Sequence, residues 1–207
     1  MNTRNKKKKG FTLIELLVVI AIIAILAVVV VLTLNPSELL KQSRDAQRVS
    51  DFGTLKSAIG LYLVDAPSPN LASTTSGYSA CYLSTITAKG TTTTTPACGV
   101  FTKTYSNGNS STTSSTYRNN NGQGWLPVNF SQITYGSPLS ALPVDPINNA
   151  SYYYAYAATS TSGFYFELDA FMESVKYSAG GTNNMVTTDG GDNSSAYETG
   201  NFPGLNL

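Results

Sequence analysis

From Phe11 to Leu34 the chain is apolar except at Thr12, Glu15 and Thr33, and residues 16–32 carry no polar side chain. A helix over that stretch is about 36 Å long, enough to cross a hydrocarbon core of ~30 Å. After Asn35-Pro36 the pattern becomes one-sided. Leu39, Leu40, Ala46, Val49, Phe52, Leu55, Ile59, Tyr62 and Leu63 recur at mostly three- and four-residue steps, the stripe of an amphipathic helix. Pro36 lacks an amide hydrogen and predicts a kink or local unwinding around Thr33–Pro36. Gly53 and Gly60 weaken the helix further. It ends near Asp65, because Pro67 and Pro69 follow.

From Asn70 to Gly124 the chain is dominated by Ser, Thr, Asn and Gly, a composition that buries little and reads as loops. Order returns with GWLPVNFSQI (124–133) and the turn-rich SPLSALPVDPINN (137–149). YYYAYAAT and FYFELDAFMESVKY, separated by STSG, then read as aromatic-rich strands around a short turn. In the second, Phe164, Phe166, Leu168 and Ala170 alternate with Tyr165, Glu167 and Asp169. One face is expected to pack on the helix and the other to meet solvent. The predicted fold is α+β. A long N-terminal helix, kinked near Pro36, packs through its C-terminal half on a small antiparallel sheet with a long Ser/Thr-rich loop region.

Charge orients this arrangement. Arg4 and Lys6 to Lys9 precede the apolar run, which places the N-terminus in the cytoplasm and everything after Leu34 outside. The remaining eight basic residues face twelve acidic ones, and Lys89, Lys103, Arg118 and Lys176 are scattered. That argues against a broad nucleic-acid-binding face. Arg44, Asp45, Arg48 and Asp51 form mixed pairs at helical spacing, either a solvated face or contacts between copies. The exported position favours a disulfide between Cys81 and Cys98, a metal pair or free thiols being the alternatives. With no histidine and no further cysteine, zinc is a poor fit. The same shortage leaves no apparent catalytic set, and Glu167 with Asp169 reads as surface. The chain is expected not to be an enzyme.

The apolar run has one anomaly, Glu15, since a carboxylate in lipid is costly and usually partnered. A cleaved secretory signal has a shorter core, ~7–15 residues, and a small-residue site behind it. A plain anchor gains nothing from the charge. KGFTLIELLVVIAIIAIL instead resembles the class III signal peptide of type IV pilins and type II secretion pseudopilins, continuously over Gly10, Phe11, Thr12, Leu13, Ile14 and Glu15.

That resemblance implies a division into a leader (1–10), a transmembrane or filament-core helix (11–35), an amphipathic helix (36–66) and an extracytoplasmic β-rich head (67–207). It implies cleavage after Gly10 by prepilin peptidase, a membrane protease, and N-methylation of Phe11. Glu15 of one subunit then pairs with the Phe11 amine of its neighbour, which selects assembly and axial register. The partners implied are further copies of the chain, an inner-membrane assembly platform with its ATPases, and the membrane. The family's common helix-breaking proline lies some four residues nearer the N-terminus than Pro36, a departure that bears on where the bend begins. LPVDP followed by a Tyr-rich strand resembles the β-region of major pseudopilins, over the C-terminal third only.

No cofactor is required. Calcium is a candidate, because related pseudopilins carry it in a C-terminal loop and Asp189, Asp192 and Asn193 could offer oxygens here. An Asp-Gly-Gly-Asp turn equally needs no ion. The leading expectation is a type IV pilin, a structural subunit of a surface filament serving adhesion, motility or DNA uptake. The alternatives are a pseudopilin or a membrane-tethered exported protein.

Overall fold

Two helices follow one another at the N-terminus, α1 over Leu13–Leu34 and α2 over Pro36–Asp65. A computed structural model describes residues 10–71, 80–85, 106–107, 115–159 and 163–202. The helical pattern is broken at one residue, Asn35, whose backbone is left-handed (φ 41°, ψ 73°). Pro36 then opens α2, where its missing N–H costs nothing and its fixed φ suits a helix. Neither Gly53 nor Gly60 interrupts α2, which ends at Asp65 as predicted.

The chain divides into two units, Met1–Leu40 and Lys41–Leu207. In the first, Leu13–Val31 is long and apolar enough to cross a membrane. Its large side chains are exposed, among them Ile14, Ile23 and Val31.

The second unit holds a five-stranded sheet of order β2-β1-β3-β4-β5. β1 is Ala80–Leu83, β2 Ser106–Asn107, β3 Tyr154–Thr159, β4 Tyr165–Ala170 and β5 Tyr197–Gly200. β1, β3, β4 and β5 pair antiparallel, and only the two-residue β2 runs parallel to β1. The expected antiparallel sheet is therefore present. β1 lies in the Ser/Thr-rich stretch read as loop, and β5 in the tail. β4 ends at Ala170 rather than continuing to Tyr177. Much of 70–124 lies outside the described residues.

The stripe Phe52, Leu55, Ala58, Ile59 and Tyr62 is buried against Tyr82, Tyr154, Tyr156, Phe166 and Leu168 of the sheet. Fully burying such side chains contributes about 1.5–3 kcal/mol each. The Phe52 ring meets the Tyr154 ring edge-on at 4.9 Å. Trp125, Leu126, Val128, Phe130, Leu139 and Leu142 close the same core, and the Trp125 indole donates to the Pro143 carbonyl at 2.9 Å. The Tyr154 hydroxyl donates to the Asp51 carboxylate at 2.7 Å. Tyr154→Phe should therefore lower stability by about 1.5–3 kcal/mol, read from the denaturant midpoint, because Asp51 loses a donor to a charged group.

The other face of the sheet does not meet solvent. Cys81, Leu83, Tyr153, Ala155, Ala157 and Ala196 form a second buried cluster, with Phe171 and Phe202 packed against it. Glu167 and Asp169 lie on this face, 1 % and 0 % exposed. The expectation of a wet face with surface carboxylates is corrected: the segments around Ala196 and Phe202 cover it.

Candidate functional site

The segment Gly10-Phe11-Thr12 leads into α1 in non-helical backbone, with Phe11 86 % exposed and open space around Gly10. Nothing within the first unit obstructs the Gly10–Phe11 bond among the described residues. Thr12 is the N-cap of α1, extended at φ −82° and ψ 152°. Its hydroxyl accepts from the Glu15 amide at 3.3 Å, while Glu15 Oε2 accepts from the Thr12 amide and the Thr12 hydroxyl, both at 2.8 Å. This is a capping box, in which two otherwise unpaired amides at the helix start are satisfied reciprocally. The carboxylate also faces the positive end of the helix dipole. Glu15 thus has a role inside its own chain that sequence reasoning missed, although Thr-x-x-Glu is its signature.

Within the second unit, Asp45 and Arg48 of α2 do not belong to a solvated face. Asp45 and Arg48 are both fully buried. Arg48 Nε and Nη2 donate to the two oxygens of Asp145 at 2.6 and 3.0 Å, and Nη1 donates to Asp45 at 2.7 Å. Nη2 also lies 2.6 Å from Glu173, which Arg44 grips through Nε and Nη2. Asp45 additionally accepts the amides of Glu173 and Ser174 at 2.9 and 2.8 Å. Asp145, from the LPVDP turn, accepts the amides of Ile147 and Asn148. Every charge in the knot meets an opposite one, as a buried ion requires. Burial would raise the Glu173 carboxyl, but Arg44 and Arg48 together hold it below the usual range.

A second buried group gathers carboxylates. Asp169 and Glu198 are register partners across β4 and β5, and Glu167 is two residues from Asp169 on the same face. Burial, then the neighbouring Glu167 and Glu198, push Asp169 well above the usual carboxylate range. Glu198 is pushed up to about 8, mainly by burial and against an opposing hydrogen bond from the Asn193 amide. The loop after Thr188 folds onto this strand. Asp189 accepts the Gly191 and Glu198 amides at 3.1 and 2.8 Å, and the Asn193 amide donates to Glu198 at 2.9 Å. A Cβ at Gly191 would overlap the Glu198 carboxylate, so only glycine permits the approach. The carboxylates gathered here are Glu167, Asp169 and Glu198, whereas Asp189 and Asn193 fix the loop. Asp192 adds negative field at Asp169. Of the two cysteines, Cys81 is buried in β1 and Cys98 lies outside the described residues.

Residues 5–31 match the prokaryotic N-terminal methylation motif. No curated protein and no solved structure matches the chain. The exposed junction, the capped Glu15 and the apolar helix behind it all fall in the matched segment or at its edge. The chain carries the class III signal peptide of type IV pilins and pseudopilins.

Proposed function

We propose that the chain is a type IV pilin, a structural, non-enzymatic subunit of a helical surface filament, processed between Gly10 and Phe11. The observation carrying this proposal is the unbroken Gly10-Phe11-Thr12-Leu13-Ile14-Glu15 string at the head of an exposed, membrane-length apolar helix. As a precursor the chain is held in the membrane with its N-terminus in the cytoplasm. Prepilin peptidase removes residues 1–10 and the new Phe11 amine is methylated. An inner-membrane platform driven by ATPases then adds the subunit to a homopolymer whose core is built from α1. Outside the cytoplasm Cys81 pairs with Cys98, a pairing supported by the lack of a free cysteine among the described residues.

Intact-mass and N-terminal analysis of assembled filaments should find a chain beginning at methylated Phe11. An intact Met1, or a cut elsewhere, would reject the processing step. Electron micrographs should show long filaments on the cell surface. Filaments confined to the periplasm would instead assign the chain to a secretion pseudopilus.

A further inference from the structure

Glu167, Asp169 and Glu198 are 1, 0 and 2 % exposed, and one oxygen of each lies within 4.8 Å of the others. Both Asp169 oxygens lack a hydrogen-bond donor among the described residues. Two neighbouring carboxylates can hydrogen-bond each other only by sharing a proton, and a buried charge left uncompensated is strongly disfavoured. A group in this condition calls for a cation.

We propose that Glu167, Asp169 and Glu198 bind one calcium ion on the back face of the β4–β5 pair. The donors are all carboxylate oxygens, the set a hard cation takes, with no nitrogen or sulfur for zinc or copper. Their spacing fits a single ion, because oxygens on opposite sides of calcium at ~2.4 Å lie about 4.8 Å apart. The surroundings are small: Asp169 and Glu167 have Ala155 and Ala157 as register neighbours on β3. The loop carrying Asp189 and Asn193 closes over β5 through the hydrogen bonds to Glu198. These ligands come from two strands and differ from the loop acids Asp189 and Asp192. The bound ion ties β4, β5 and the C-terminal loop together in the head, whether or not the chain polymerises.

The test uses the full chain in detergent at neutral pH after treatment with EDTA. At about a hundredfold excess over Kd, calcium should raise Tm by roughly 5–10 °C. Terbium, a calcium mimic, should give luminescence sensitised by Tyr153, a buried neighbour of Asp169. Asp169→Asn and Glu167→Gln each remove a charge and should fold at least as stably without metal as the stripped parent. Both should lose the calcium shift and the terbium signal. No shift in the parent, as two acids sharing a proton would give, overturns the proposal. So does a shift that persists undiminished in both variants.

Discussion

Arg48→Leu should lower the stability of the Lys41–Leu207 unit by about 3–5 kcal/mol, the largest effect expected of any single change in the head. The side chain it removes is bonded to Asp145, Asp45 and Glu173 at once. Leucine would remove the guanidinium from three buried carboxylates, of which Glu173 still bonds Arg44. Denaturant unfolding in detergent at neutral pH reads the loss directly. Its pH dependence gives a second signature. Glu173 has a lowered folded pKa, so its stabilisation is present above the ordinary carboxylate range and disappears as pH falls through the folded value. In the variant Glu173 keeps Arg44 but loses Arg48, one of the two cations that hold its folded pKa down. The gap between parent and variant should then narrow as pH falls from the ordinary carboxylate range through the lower folded value of Glu173. A loss below about 1 kcal/mol would reduce the knot to the worth of a surface pair.

On the proposed pilin function, Glu15→Ala should leave cleavage after Gly10 largely intact and abolish filaments. An unpaired Phe11 amine in an apolar core costs on the order of 2.5–3.5 kcal/mol, roughly a hundredfold or more per contact. The capping box complicates that variant, because losing it costs about 1 kcal/mol within the subunit as well. Glu15→Gln separates the two. Glutamine can still complete a box with Thr12 but carries no charge. If pairing governs assembly, Glu15→Gln fails as Glu15→Ala does. Normal filaments from Glu15→Gln would assign the side chain's value to capping and remove the inter-subunit pair.

Local pattern made much of this fold legible. The stripe Phe52–Leu55–Ile59–Tyr62 identified the buried face of α2, and the prolines after Asp65 identified its end. The alternation in β4 marks a strand but implies one wet face, which the structure does not have. What covers that face comes from residues around 196–202, outside the window in which alternation is counted. The same limitation concealed the charge knot. Asp45 and Arg48 look like an ordinary helical pair until Asp145 and Glu173 arrive from about 97 and 128 positions along the chain. β1 was hidden for another reason: ACYL is too short to stand out in a Ser/Thr-rich stretch, and it is a strand because β3 offers it an edge. At the processing site the family string was plain. The T-x-x-E cap within it is masked by the apolar run, in which Glu15 stands out as a charge in lipid rather than as an acceptor at a helix start.

Strand β3 divides its freedom to vary unequally. Tyr154 and Tyr156 fill the space toward α2, and trimming either ring would open a void. On the opposite face Ala155 and Ala157 stand beside Asp169 and Glu167. There a larger side chain would intrude on buried carboxylates instead of filling a gap. Growth is barred on one side of the strand and shrinkage on the other, so Tyr-Ala-Tyr-Ala acts as a mould whose small residues define the cast as firmly as its large ones.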